Sequence, residues 1–407
     1  MNAQNHDELE RMLGRELHGR ADGLHGSPLG LADVKGRASR IRRTRRVVAG
    51  GVVAAALAVV VPTVMTLGGP VSESQREIEP APSPDTPTEV ARTTLTLDGL
   101  ERGDDPAIEF FTPDGVVLPG QGLVELDASY QALVENPADG GWIAIEPDGQ
   151  SIRYLSQDFE PQGGSSGTTG LVTSADREWV AWVAPEPGAQ TLQVVSTTDP
   201  GAGRSWPLPE SPVAEPVGFL GEDRVLYETR NPTGVSTFGV AEPDGSTSEL
   251  PGWVDAQSTS EVAGLVAVQT SADDYDGGCF AVVDADAPRT TLWETCDYAL
   301  GAFSPDGRYV MASDPLQDGL GPTSLSILDA ATGEPVAEFT RVGRRPEVTL
   351  VSPAWEGNEA VVASALGNGE QALVRMGVDG SLEDASDRVA STDTDFHYYL
   401  GRDRAGL

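Results

Sequence analysis

Lysine is almost missing from this chain. Of its 27 basic residues, 26 are arginine, and the single lysine, Lys35, lies near the N-terminus. Everything beyond residue 46 therefore lacks a Schiff-base lysine and the lysine of a phosphate-binding P-loop. Histidine is nearly as scarce. His6, His18 and His25 precede the one long apolar run, and only His397 follows it. A Ser-His-Asp triad would have to use His397, which sits in the aromatic run Phe396-His397-Tyr398-Tyr399 and reads as part of a closing strand. No G-x-S-x-G elbow occurs. The chain has two cysteines, so zinc sites of the His/Cys type lack ligands. Carboxylates are plentiful, but no pair stands out as a glycosidase couple. The expectation is a protein that is not an enzyme.

Positive charge is also short, and unevenly placed. The net charge is −36. Residues 1–46 carry ten basic and six acidic groups, a net of +4, which leaves 17 basic and 57 acidic groups, a net of −40, for the rest. Such a surface repels nucleic-acid phosphates and anionic membranes, so nucleic acid is not an expected partner. Solubility alone accounts for many acidic surfaces of this kind. Arginine in place of lysine, with abundant Ala, Gly and Val, points to a GC-rich genome such as an actinobacterial one.

Val47 to Leu67 is 21 residues without a charge. As a helix it would rise about 30 Å, the thickness of the bilayer hydrocarbon. Pro62 lies near its far end, where membrane helices tolerate a kink. Lys35, Arg37, Arg40, Arg42, Arg43, Arg45 and Arg46 precede it without an acid between them. By the positive-inside rule the N-terminus is cytoplasmic and the remainder lies outside the cell membrane. A cleaved signal peptide fits less well, because a 46-residue basic region is too long for one.

Four regions follow. Residues 1–46 form a basic cytoplasmic tail, 47–67 a transmembrane helix, 68–92 a Pro-, Ser- and Glu-rich spacer, and 93–401 a β-rich domain. Within the tail, Leu9, Met12, Leu13, Leu17 and Leu24 recur at helical spacing. This short amphipathic stretch is either a marginal helix that lies on the membrane or is partly disordered, or a docking helix for a cytoplasmic partner through Leu9, Leu13 and Leu17.

The outer region repeats one unit seven times: a run of β-formers, an acidic Gly-containing turn, and a second short run. The copies are 108–120, 142–155, 192–208, 238–252, 280–294, 325–339 and 372–385. From Gly115 to Gly380 the mean spacing is about 44 residues, within the span of a four-stranded propeller blade. Runs such as 177–184, 223–229, 263–270, 308–313 and 359–364 are apolar on both faces and supply inner strands packed between blades. The expected fold is all-β: a seven-bladed β-propeller, closed by 396–400 joining the blade that contains 110–118.

Phe303-Ser304-Pro305-Asp306-Gly307-Arg308-Tyr309-Val310 resembles the F-S-P-D-G signature of WD40-like, TolB-type propeller repeats. Pro presets φ, and Gly takes the positive-φ position. Worn versions read Thr173-Ser174-Ala175-Asp176-Arg177-Glu178 and Val351-Ser352-Pro353-Ala354-Trp355-Glu356. The Trp-Asp repeat ending is absent. The resemblance implies a binding platform and carries over no catalytic residue. The order of short helix, basic stretch, membrane helix and outer domain also looks like that of membrane-bound anti-sigma factors, although the zinc motif of that family is absent. That likeness implies a sigma factor as cytoplasmic partner, beside an extracytoplasmic protein or ligand whose identity is open.

Two further sites are legible. Asp273, Asp274 and Asp276, in SADDYDGG, offer oxygen ligands and a Gly turn for Ca²⁺ without the EF-hand spacing; a solvated acidic loop is the plainer reading. Cys279 and Cys296 would lie outside, where disulfides persist. If 280–284 pairs with 291–295 about a turn at Ala287, the two cysteines fall opposite each other, and a structural disulfide is expected.

Overall fold

The computed structural model describes residues 89–401, apart from 137–139, 148, 187–188, 200–201, 210, 212, 222–223, 251, 274–276, 317–320, 342–347 and 392–395. The tail, the apolar run Val47–Leu67 and most of the spacer therefore lie outside the described residues. Among the described residues no helix is long and apolar enough to cross a membrane.

Among the described residues thirty strands build seven sheets, antiparallel except for one added edge strand. From the innermost strand outward, blade 1 is Tyr399–Leu400, Phe110–Thr112, Gly115–Leu118 and Gly122–Val124. Blade 2 is Ala132–Asn136, Gly141–Ile145, Ser151–Leu155 and Pro161–Ser166. Blade 3 is Thr169–Thr173, Trp179–Glu186, Ala189–Ser196 and Arg204–Leu208. Blade 4 is Val213–Phe219, Val225–Arg230, Ser236–Ala241 and Thr247–Glu249. Blade 5 is Asp255–Ser260, Leu265–Ser271, Cys279–Asp284 and Thr291–Thr295. Blade 6 is Ala299–Phe303, Tyr309–Ser313, Leu325–Asp329 and Pro335–Thr340. Blade 7 is Thr349–Glu356, Ala360–Gly367, Glu370–Gly377 and Leu382–Asp384.

Strands apolar on both faces must be covered on both faces. Seven clusters of buried side chains do this, and each one joins two successive blades. In blade 5, Val266 and Val268 face blade 4 while Leu265 and Ala267 face blade 6. Seven clusters for seven junctions mean that the sheet stack closes on itself. The protein is a seven-bladed β-propeller.

Closure uses the C-terminal strand. Phe110 pairs with Leu400 and Phe111 with Tyr399, which sets the first and last parts of the domain side by side. A second tie comes from the N-terminal side. Ala91–Thr94 adds in parallel to the outer edge of blade 6, so that the first strand among the described residues begins two residues before position 93. The chain then crosses blade 7: Leu95 and Leu97 enter the blade 6–7 cluster, and Gly103 N–H donates to Asp384 O at 2.9 Å. Residues 91–107 thus form a strap over two blades.

All seven sequence hairpins are strand pairs, but they are not equivalent. In blades 3 to 7 they join the third strand to the outermost, whereas in blades 1 and 2 they join the second to the third. The apolar runs 177–184, 223–229, 263–270, 308–313 and 359–364 all fall on second strands. One of the worn signature copies is a different object. Ser352-Pro353 forms a bulge inside the innermost strand of blade 7, where the pairing shifts between Val351 and Ala354. The turn that follows this strand lies at Gly357 instead.

Candidate functional site

Antiparallel order gives the ring two unlike faces. Turns after the first and third strands of each blade emerge on one, here termed the turn face. Turns after the second strand, and connections to the next blade, emerge on the other, the connector face.

The signature turn of blade 6 lies on the turn face and spends its polar groups internally. Ser304 N–H donates to Tyr309 O at 2.8 Å and Gly307 N–H to Ser304 O at 2.8 Å. The Ser304 hydroxyl donates to Asp306 at 2.7 Å and accepts from Tyr309 N–H at 3.0 Å, and Asp306 accepts from Arg308 N–H at 3.1 Å. Blade 3 reproduces this network. Ser174 donates to Asp176 at 2.6 Å and accepts from Trp179 N–H at 2.9 Å, and Glu178 N–H donates to Asp176 at 2.9 Å. The Ser174 hydroxyl, followed by the Glu178 N–H, holds the Asp176 carboxyl below its usual range. These turns brace the fold and leave little to offer a ligand.

The connector face carries the predicted disulfide. Phe280 pairs with Thr295, Ala281 with Glu294 and Val282 with Trp293, the register expected from the sequence. Cys279 and Cys296 are bonded, with Cα atoms 4.1 Å apart. Cys279 opens the third strand of blade 5 and Cys296 follows its outermost strand. The bond therefore ties the root of the 272–278 loop to the connection leading into blade 6. In that loop Asp273 O accepts from Gly277 N–H at 2.8 Å, and Gln269 Nε2 donates to Gly277 O at 3.0 Å. Asp274 and Asp276 lie outside the described residues, and among those described no group of three or more His, Cys, Asp or Glu could hold a metal ion. Leu9, Leu13 and Leu17 likewise lie outside the described residues. His397 donates its backbone N–H to Gln371 Oε1 at 2.6 Å and sets its ring edge-on to Tyr398; it lies in a bend two residues before the closing strand Tyr399–Leu400, which is shorter than the aromatic run that announced it.

A pocket of about 220 Å³ opens on the same face where the ring closes, between blades 1 and 2. Residues 111–115 and 126–130 line it, together with Tyr399. Strand periodicity builds its floor. Phe110 turns toward blade 7 and meets Tyr398, while Phe111 turns toward blade 2 and stacks on Tyr399 with ring centroids 5.0 Å apart. Tyr399 donates its hydroxyl to Tyr130 O at 3.1 Å, and the buried Tyr130 donates to Asp127 Oδ1 at 2.9 Å. Burial, then the Asp127 hydrogen bond, pushes the Tyr130 phenol up to about 12, so it stays a neutral donor. Asp127 is thereby held by Tyr130, and Asp114 is the other carboxylate that lines the pocket. The sequence announces the closing strand but not this pocket. Residues 126–130 form an irregular connection with no periodicity and no motif, so no local signal marked Asp127 or Tyr130.

A half-buried cluster of ion pairs lies at the edge of blade 7. Arg375 bonds both Glu356 and Glu383, and its Nη2 reaches the Asp104 and Asp105 carbonyls of the strap at 3.3 Å. Burial alone would raise the Glu356 carboxyl; its hydrogen bonds, chiefly from Arg375, outweigh this and hold it below the usual range. Asp255, at the head of the innermost strand of blade 5, shows the opposite balance: burial raises it despite hydrogen bonds from Ala256 N–H and Gln257.

No protein-family model matches the chain, and no curated protein matches it. Among solved structures it is similar to one from a study of two prolyl endopeptidases, at 13 % identity and a TM-score of 0.50, covering 72 % of this chain and 48 % of that one. It is similar to the β-propeller domain of Cps50 (Swd1) from Myceliophteria thermophila, at 13 % identity and a TM-score of 0.45, covering 66 % of this chain and 88 % of that one. TolB from Acinetobacter baumannii gives 13 % identity and a TM-score of 0.39, covering 65 % and 64 %. Likeness at this identity concerns the fold alone.

Proposed function

We propose that this protein is a membrane-anchored binding module whose propeller stands outside the cytoplasm and presents its connector face to a protein or ligand. The observation that carries this reading is the use of charge around the ring. Seven arginines are drawn into ion pairs: Arg92, Arg102, Arg153, Arg224, Arg230, Arg375 and Arg388. Residues 91–401 contain 14 basic and 51 acidic side chains, so the surplus at the surface is anionic. That favours cationic partners and disfavours nucleic acid. The anchor rests on Val47–Leu67 and the seven basic residues before it. The reading includes no catalysis and no resident cofactor. Ca²⁺ at the Asp273–Asp276 loop is a proposal for metal titration of the intact chain.

A reporter active only outside the cytoplasm, fused after residue 92, should give signal in whole cells. Signal from a cytoplasm-only reporter at that position would overturn the orientation. A second reading, a transmembrane regulator that docks a sigma factor on its tail, is favoured by the helical spacing of Leu9, Leu13 and Leu17. Leu13→Asp with Leu17→Asp should then abolish co-purification of that factor. Recovery of no specific protein with the wild-type tail would remove this reading.

A further inference from the structure

We infer that the rim of blade 2 pairs edge to edge with the same rim of a second copy of this chain, antiparallel, about a two-fold axis at Ser165. The inference goes beyond the reading of the propeller as a binding module and does not depend on the membrane anchor. The outermost strand of a blade leaves one row of backbone donors and acceptors unpaired, and proteins cover, shorten or charge such edges. Six of the seven blades do so. Blade 6 is covered by Ala91–Thr94, and the edge of blade 7 is bridged in parallel by the strap, Arg102 opposite Asp384. Blades 1 and 4 end in strands of three residues. The edge of blade 3 carries Arg204 and Pro207, and that of blade 5 carries Glu294. In blade 2, Pro161–Ser166 has six residues, no charge and, among the described residues, no covering strand. Its one proline, Pro161, only opens the strand.

Strand pairing fixes which groups are free. Glu146 N–H donates to Ser151 O at 2.9 Å, so Ser151 and Arg153 turn their backbone groups toward the second strand. Ile152 and Tyr154 then turn theirs toward the outermost strand, where their partners are Ser165 and Gly163. Gly164 and Ser166 are left with N–H and C=O aimed outward. An antiparallel copy must set outward residues opposite outward ones. With the axis at Ser165, Gly164 faces Ser166 of the second copy and Ser166 faces its Gly164, and each pair exchanges both bonds. Charge selects the occupant. Pro161–Ala175, 15 residues, is the longest run without a charge between 91 and 401, where 14 basic and 51 acidic side chains occur. A cationic partner finds no counter-charge on this edge. Two anionic rings repel each other over most of their surface and approach at least cost here. The edge is its own complement, as a two-fold contact requires. The contact is far below the about 800 Å² per partner of a stable interface, so the pair forms and dissociates with concentration.

The test uses the full chain, in membranes of expressing cells and in detergent. Ser165→Cys should yield a dimer linked through position 165 on non-reducing gels and in peptide maps. Directly opposite residues of a non-hydrogen-bonded pair have Cα atoms about 4.5 Å apart, within disulfide reach. Ser248→Cys, on the exposed edge strand of blade 4, should give no such dimer. Sedimentation of the detergent-solubilised chain should show dimer rising with concentration. Ser165→Glu and Ser165→Arg, each setting like charges opposite one another, should weaken that association about fivefold. Mixing the two variants should restore it, because opposite charges then meet. No linked dimer with S165C, equal linkage with S248C, or association unchanged in both charge variants would overturn the inference. So would a mixture that fails to associate while each variant keeps the wild-type unfolding midpoint. A chain that dimerises in this way but gives no signal from the outside reporter defeats the anchored reading and leaves the blade 2 edge standing.

Discussion

Blade 6 and blade 1 follow one plan with very different material. Blade 6 has strands of five, five, five and six residues, takes a fifth strand from the strap, and packs on blade 7 through fifteen buried side chains. Blade 1 has strands of two, three, four and three residues and shares clusters of seven and six with its neighbours. The better copy of the repeat signature is in blade 6, and the pocket lies between blades 1 and 2. Regular packing leaves little room for a guest, so the irregular seam is where concave surface with unspent polar groups remains. The seam is also the part whose integrity depends on residues nearly 300 positions apart in sequence.

The contrast can be broken most directly at the seam. Truncation after His397 removes Tyr398, Tyr399 and Leu400, of which Tyr398 and Leu400 are almost wholly buried. At roughly 1.5–3 kcal/mol per buried large apolar side chain the ring should lose about 5 kcal/mol or more. It also exposes the edge formed by Phe110–Thr112, so aggregation should accompany the loss. Denaturant unfolding followed by tryptophan fluorescence measures this; an unchanged midpoint would mean that the strap alone closes the ring.

Blade 5 stands between these extremes, because a covalent clamp supplements its packing. Replacing both Cys279 and Cys296 with alanine should cost roughly 3 kcal/mol on the chain-entropy account of a loop of this length. Mapping of the untreated protein without reductant should recover one linked peptide pair. Free alkylation of both thiols in the folded chain would refute the clamp.

The strap's hold on blade 7 should depend on pH. Glu356 has its folded pKa lowered, so its contribution is complete above its unfolded value, near about 4.3, and is lost as pH falls through the lower folded value. Glu356→Gln leaves a mostly buried Arg375 with Glu383 alone and should cost about 1–3 kcal/mol near neutral pH. The gap between the variant and the wild type should narrow in acid. A gap independent of pH would place the effect in packing and not in charge.

How much of this was legible depended on the range of the signal. Local turn chemistry gave the number of blades, the second strands and the disulfide register, because each is decided within about twenty residues. It did not give the position of a hairpin inside its blade. Glu-Pro-Asp-Gly occurs at 146–149, where it links the second and third strands of blade 2, and at 242–245, where it links the third strand of blade 4 to the outermost. Both use the same backbone bond, Gly149 N–H to Glu146 O at 2.9 Å and Gly245 N–H to Glu242 O at 3.0 Å. The tetrapeptide is indifferent to which face it occupies; the packing of the flanking strands decides. The strap and the pocket were invisible for a related reason, since both arise where segments distant in sequence meet.

The smallest expected effect is the most specific comparison of two blades. The blade 3 turn keeps every hydrogen bond of the blade 6 signature, yet the position of Gly307, at φ +71°, is occupied by Arg177 at φ +61°. A side chain in the left-handed region carries a cost of roughly 1–2 kcal/mol that glycine avoids. Arg177→Gly should therefore stabilise the protein by a fraction of that, about 0.5–1 kcal/mol, because glycine also gains freedom in the unfolded chain. Arg177 makes no ion pair among the described residues that would offset the gain. The reverse change, Gly307→Ala, should destabilise by more, about 1–3 kcal/mol, because an added Cβ would also press on Ser260 Oγ and Ala263 Cβ. Paired denaturation curves of the two variants decide the matter. Opposite signs would mean that the blade 3 turn is the same device carrying a strained residue. A destabilising Arg177→Gly would mean that Arg177 contributes an interaction that the turn geometry alone does not require.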